Sequence, residues 1–180
     1  IPSIVWNVLP SFSSSKTKTF VTNEDGIDLA TSISKIGMKT ALLNPADKKR
    51  LGGGFDKKAA GYEGAICRRT TLGGALINLK KQYPLGDGAV LFTPNIRILR
   101  DKTLKHHRGA KIDVISQAAL DLNPSHIGKP ETWGDVDVTY INDPVKRKLE
   151  LRTYIYSQLK AAKDNGEQAL VLTAFGCGAF

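Results

Sequence analysis

Two short segments combine glycine density with the makings of an anion site. Asn44-Pro45-Ala46-Asp47 runs into Gly52-Gly53-Gly54-Phe55, and Ala174-Phe175-Gly176-Cys177-Gly178-Ala179-Phe180 closes the sequence. Each glycine removes a side chain and permits positive φ, so successive backbone N–H groups can converge on an anion; a helix N-terminus after such a loop adds its dipole. The chemistry this serves is the holding of a pyrophosphate. Neither segment matches the P-loop pattern GxxxxGK[ST] or the dinucleotide pattern GxGxxG. Taken singly, each reads equally well as a tight turn without a ligand.

The elements that must position these loops follow from periodicity. Thr40 to Leu43 reads as a short buried strand leading into the first loop, and Ala169 to Thr173 as the strand leading into the second. Before the first strand, Asp25 or Asn23 caps a helix with apolar Ile27, Ala30, Ile33 and Ile36, stopped at Gly37. After the triple glycine, Leu72, Leu76, Leu79 and Tyr83 share the face of a helix that Pro84 and Gly86 end. Ala89–Phe92 and Ile96–Leu99 read as strands broken at Thr93-Pro94-Asn95, and Ile112–Ile115 as another.

From Asp121 to Asp143 the chain is polar and irregular, a long excursion of the kind that is often functional. Trp133 and Tyr140 within it read as plain packing or as part of a lid or partner surface. Asp143 as N-cap and Pro144 at the first helical position then start a long helix carrying Val145, Leu149, Ile155 and Leu159, closed by Gly166.

Strands separated by helices imply an α/β fold: a three-layer α/β/α arrangement around a mixed, largely parallel sheet. Open sheets of this class bind ligands beyond the carboxyl ends of their strands, where both glycine loops depart. Residues 1–19, with the Ser13-Ser14-Ser15 run, read as an N-terminal edge strand and linker extension, and residues 20–180 as one domain.

The 180 residues, 41% of them hydrophobic and 24% charged, support one globular core rather than a disordered chain. No apolar run approaches the roughly 20 residues that cross a bilayer, so no membrane association is expected. Two cysteines, Cys67 and Cys177, are too few for a disulfide framework and favour reduced thiols in a cytosol-like compartment. His106, His107 and His126 lack acidic or cysteine partners at metal-ligand spacing, so no metal and no cofactor are expected.

A net charge of +9 favours a polyanionic or phosphate-bearing partner. Lys48-Lys49-Arg50, Lys57-Lys58 and Arg68-Arg69 flank the triple glycine, whereas Lys146-Arg147-Lys148 reads as a solvated helix face. Nucleic acid is disfavoured as the partner, because no base-reading motif or aromatic stacking platform accompanies the charge.

In order and together, these segments resemble the microbial-type poly(ADP-ribose) glycohydrolase branch of the macro-domain superfamily. The resemblance rests on Asn44-Pro45-Ala46-Asp47, Leu51-Gly52-Gly53-Gly54-Phe55, Ala65-Ile66-Cys67-Arg68-Arg69 with Thr71-Leu72, and the closing glycine loop. Phe92-Thr93-Pro94-Asn95 and Asp113-Val114-Ile115-Ser116 fall where the family has similar segments, and coverage runs from about Asp25 to Phe180.

The resemblance implies that Gly52, Gly53, Gly54 and Phe55 line one side of an ADP-ribose site and Ala174, Phe175, Gly176, Cys177, Gly178, Ala179 and Phe180 the other. It places Asn44 and Asp47 near the distal ribose, with Tyr62 either stacking on the ligand or packing on the sheet. Because the family continues into a further helix, the sequence is expected to be cut short at its C-terminus.

The family's Gln-Glu-Glu signature is here Tyr62-Glu63-Gly64. Glu63 matches the first glutamate, which in the family helps hold ribose hydroxyls. Gly64 replaces the usual acid. Cleavage at the anomeric carbon of ribose passes through an oxocarbenium-like state that needs a carboxyl for charge and proton. The acids in the same loops are Asp47, Asp56 and Glu63, the candidate catalytic residues.

Asp47 reads equally as a turn-bonding residue, and Asp56 as a partner of Lys57 or Lys58; Cys67 reads as a small core residue. The implied function is that of an ADP-ribosyl hydrolase, a monomer acting on ADP-ribosylated protein, arginine-linked groups included, or on poly(ADP-ribose). The alternatives are a non-catalytic ADP-ribose reader and a basic nucleic-acid-binding module.

Overall fold

The computed structural model describes residues 3–7, 17–57, 60–107, 109–129, 136 and 138–178. The expected loop at Ser13–Ser15, together with Lys58, Trp133, Ala179 and Phe180, lies outside these residues.

The centre of the molecule is β3 (Thr40–Pro45), whose Ala41-Leu42-Leu43 run is fully buried, as befits a parallel strand covered on both faces. It pairs in parallel with β5 (Lys111–Gln117) and with β6 (Ala169–Leu172). β4 (Leu91–Arg97) lies antiparallel outside β5. On the other flank β1 (Ser3–Asn7) runs antiparallel to β6, and β2 (Lys18–Thr22) antiparallel to β1. The strand order is β2-β1-β6-β3-β5-β4.

Helices cover both faces. Leu42, Val114 and Val171 pack against Ile27 and Ala30 of α1 (Gly26–Lys35), Ile66 of α2 (Tyr62–Arg69), and Leu72 and Leu76 of α3 (Leu72–Asn78). The alternate residues Ala41, Leu43, Ile115 and Leu170 pack against Leu159 and Ala162 further along the chain. The period-2 alternation along β3 thus divides one strand between two cores. The three-layer α/β/α architecture is the one expected.

Both predicted caps form. Asp25 Oδ1 accepts the Ile27 and Asp28 amides at 3.0 Å each. Asp143 Oδ1 does the same for Val145 and Lys146, starting the long helix; with α4 (Val138–Asn142) just before it, this is α5 (Pro144–Asp164). α5 supplies Leu159 and Ala162 to the second core.

Four expectations need correction. The N-terminal strand is interior, not at the edge, because β2 pairs with its outer side. β2 was not anticipated, although Thr19, Phe20, Val21 and Thr22 are residues that favour strands. The break at Thr93-Pro94-Asn95 is a register shift within one strand: Asn95 takes φ 60° and donates its amide to Asp113 Oδ1 at 2.8 Å.

Nor is there a single helix from Leu72 to Tyr83. Thr70 is extended between α2 and α3 and bridges to Ile98, and Tyr83 follows a separate 3₁₀ turn at Lys80–Gln82.

Candidate functional site

The two glycine bends meet at one cavity of about 780 Å³ beyond the carboxyl ends of β3 and β6. Gly53 lines it from one side, and Thr173, Ala174, Gly176 and Gly178 from the other. Asn23 to Gly26, at the N-terminus of α1, form a further wall. Gly52, Gly53 and Gly54 all adopt left-handed backbone, with φ of 68°, 60° and 74°. Three successive such residues are tolerable only as glycine.

Glu63 is the buried acid of this cavity. It sits in the first turn of α2 with 5% of its surface exposed. Its Oε2 accepts the Asp47 amide at 2.7 Å, and its Oε1 accepts Asn44 Nδ2 at 3.2 Å. Burial pushes the Glu63 carboxyl up to about 7, even though these donors favour its charged form. A Cβ on Gly53 would stand 2.9 Å from Glu63 Oε2, so the bend and the acid fit together only because residue 53 is glycine.

Asn44 is fully buried beneath the site and also donates Nδ2 to Ser116 Oγ at 3.0 Å, across the β3–β5 register. Tyr62 lines the cavity while its ring packs on the α1–α3 core, and burial raises its hydroxyl pKa.

The other acids of the cavity wall are engaged. Asp47 Oδ1 accepts the Lys49 and Arg50 amides at 2.9 and 2.8 Å, and Oδ2 accepts Arg50 Nε at 3.2 Å. Asp25 caps α1 with Oδ1 and accepts Arg69 Nη1 at 2.8 Å with Oδ2. Burial would raise the Asp25 carboxyl, but Arg69 and the capping amides outweigh it and hold it below its ordinary value. Arg69 also reaches Asp28 Oδ1 at 2.6 Å and the Arg100 carbonyl at 3.3 Å. Glu24 is exposed at the rim.

Of the anticipated residues, Asp47, Gly53, Tyr62, Glu63, Ala174, Gly176 and Gly178 are brought together around the cavity. Asn44, Gly52, Gly54, Phe55, Asp56, Phe175 and Cys177 are not among its lining. The Phe55 ring packs instead on Gly52 and Gly73, where an added Cβ would meet it at 2.5 and 2.8 Å. Phe175 packs on the α5 side of the sheet, and Asp56 and Cys177 are exposed. Burial pushes the Cys67 thiol up to about 12, consistent with a core residue.

Sequence reasoning passed over Asn23 to Gly26, Arg50, Gly61, Ala119 and Thr173 as cavity residues. Asp25 carried a capping signal, and a helix N-terminus entering a parallel sheet is a position where that signal also marks a ligand face. Among the described residues no group of three or more His, Cys, Asp or Glu side chains is arranged to hold a metal ion. No described helix is long and apolar enough to cross a membrane.

The fold has counterparts among solved structures. The fold matches a poly(ADP-ribose) glycohydrolase mutant from Deinococcus radiodurans, solved in complex with ADP-ribose, with a TM-score of 0.70 and 22% identity over 88% of this chain and 62% of that one. The same enzyme from Thermomonospora curvata, bound to the inhibitor ADP-HPD, matches with a TM-score of 0.65 and 23% identity over 88% of this chain and 58% of that one. The chain therefore spans less than two thirds of the length of either protein. No curated protein matches it by sequence. The family described as Microbial-type PARG, catalytic domain, matches residues 5–101, which include the triple glycine and Glu63. The chain belongs to this family of microbial-type poly(ADP-ribose) glycohydrolase catalytic domains.

Proposed function

We propose that the chain binds ADP-ribose in the cavity between its glycine bends and acts as an ADP-ribosyl hydrolase. Its substrate is poly(ADP-ribose) or an ADP-ribosylated protein side chain, arginine included. The observation that carries this reading is the placement of a buried glutamate with a near-neutral pKa in the wall of the cavity where the two glycine bends meet. The bends suit a diphosphate, and the acid suits the bond one ribose away.

Cleavage breaks the bond from the anomeric carbon to the leaving atom, whose electron pair departs with that atom and takes up a proton. Water adds to the carbon and gives up a proton in turn. Of the carboxyls that line the cavity, Asp25 and Asp47 are bound by arginines and backbone amides, and Glu24 is exposed. Glu63 is the acid poised to hold a proton at neutral pH and pass it on.

Gly64 favours a second reading. It lines the cavity directly after Glu63 and has no group that transfers a proton. If Glu63 serves only to hold ribose hydroxyls, the domain is an ADP-ribose reader.

Calorimetric titration with ADP-ribose tests the part the two readings share, and absence of binding removes both. Release of ADP-ribose from arginine-linked, serine-linked and polymeric substrates then separates them. The hydrolase reading expects release by the natural sequence and its loss in Glu63→Gln. The reader expects binding without release, and release gained in Gly64→Glu.

A further inference from the structure

Of the described cations near the triple glycine, Arg50 is the one that lines the cavity, where it is ion-paired with Asp47. Lys48 is paired with Asp87, and Arg69 is buried between Asp25 and Asp28. Among the described residues that line the cavity, Arg50 supplies the one cationic side chain, facing a wall that also carries Glu24, Asp25, Asp47 and Glu63. An anionic ligand entering this wall meets four acids, so the position of a single guanidinium matters to its affinity.

The Arg50 backbone is held from two sides, and its largely exposed side chain is steered by Asp47. The Arg50 amide donates to Asp47 Oδ1 at 2.8 Å, its carbonyl accepts the Gly53 amide at 2.9 Å, and its Nε donates to Asp47 Oδ2 at 3.2 Å. The Arg50 backbone is therefore the first half of the bend that presents Gly53, and its side chain is steered by the same aspartate that shapes that bend. A guanidinium offers a fork of N–H donors suited to phosphate oxygens, and holding it in place beforehand reduces the ordering cost on binding.

From this geometry we infer that Arg50 is a ligand-contacting residue that recognises the diphosphate of ADP-ribose, and that Asp47 is its positioning residue. This rests on the proposed ADP-ribose reading and assigns within it the group that answers the ligand's charge. It also gives Asp47 a role that requires no proton transfer: its two oxygens hold the turn and the arginine, leaving the proton chemistry to Glu63.

The test is titration of ADP-ribose into the natural sequence, Arg50→Ala, Arg50→Lys and Asp47→Asn, each at low and at high salt, with thermal melting to confirm folding. Arg50→Ala is expected to weaken binding about tenfold to a hundredfold at low salt. The gap should narrow at high salt, because the lost contact is between charges. Arg50→Lys keeps the charge without the fork and should fall between. Asp47→Asn should weaken binding less than Arg50→Ala, because the guanidinium loses its anchor but not its charge, and the salt dependence should stay at least as steep as in the natural sequence.

A merely structural arginine would lower the melting temperature without changing the salt slope. Arg50→Ala binding as tightly as the natural sequence, or a gap indifferent to salt, overturns the assignment while leaving the ADP-ribose reading standing. Failure of the natural sequence to bind ADP-ribose overturns both.

Discussion

The backbone amide of Asp47 donates to Oε2 of Glu63 at 2.7 Å, tying the end of β3 to the first turn of α2 across the floor of the cavity. One carboxylate thereby holds the loop that leads into the glycine bend, and Asn44 Nδ2 binds its other oxygen. Glu63→Gln keeps one acceptor and turns an amino group on a donor. It should cost about 1–3 kcal/mol of stability, read from chemical denaturation. If Glu63 delivers the proton, the sign of the pH dependence follows from its raised pKa. The competent acid form is present below about 7, and release should decline as pH rises through that value. A release rate that climbs steadily from pH 6 to 9 would exclude Glu63 as the acid.

Gly53 has little steric margin beside Glu63. Gly53→Ala forces φ of 60° on a residue with a Cβ and places that carbon 2.9 Å from Glu63 Oε2. The backbone strain alone is about 1–2 kcal/mol, and displacement of Glu63 adds to it. Both the melting temperature and ADP-ribose affinity should fall, whereas Gly37→Ala, at φ 90° with nothing near its Cβ, should lower stability and leave binding unchanged.

Arg69 is a buried cation with two carboxylates and a carbonyl around it. Arg69→Met removes the charge and keeps much of the volume, leaving Asp25 and Asp28 facing each other. Breaking a pair of this kind costs about 3 kcal/mol, somewhat less here because both aspartates are partly exposed. Asp25 Oδ1 should continue to cap α1, so the loss appears mainly as a lower unfolding midpoint. It should be smaller in acid, where protonation relieves the stranded aspartates.

At the far end of the sheet, Glu167 is 1% exposed and shares Lys39 with Asp113, at 3.3 and 3.5 Å from the lysine nitrogen. Burial, with Asp113 beside it, pushes the Glu167 carboxyl up to about 8. The unfolded chain releases this proton near 4.5, the ordinary value. The favourable contribution of the protonated folded form is therefore complete below that pH and is lost as pH rises toward 8. Glu167→Gln should flatten this fall, so the variant gains stability relative to the natural sequence between pH 5 and 8. Parallel stability curves for the two proteins over this range would rule the idea out.

What could be read in advance divides along physical lines. The caps at Asp25 and Asp143, the buried strands β3 and β6 and the left-handed triple glycine each announce themselves within a few neighbouring residues, and the structure contains all of them. The meeting of the two bends followed from sheet polarity, since parallel strands deliver their ends to one edge. The partners of those residues were not legible. Arg69 finds Asp25 across 44 positions, and no local pattern separates that arginine from Arg68, which is exposed. Similarly, Asp56 and Asp47 are both acids near the same glycines. Only the turn at Asp47 shows that its oxygens are already occupied, and only burial distinguishes Glu63 from either.

The interior place of β1 carries a practical corollary. β6 ends at Leu172, and the residues that run on from it, Thr173 to Gly178, form one wall of the cavity. The ladder that steadies the outer side of β6 comes from Ile4, Val5 and Trp6. Deleting Ser3 to Asn7 would strip the neighbour from the strand that launches the second bend. Affinity for a nucleotide could then drop although every residue touching it had been left untouched.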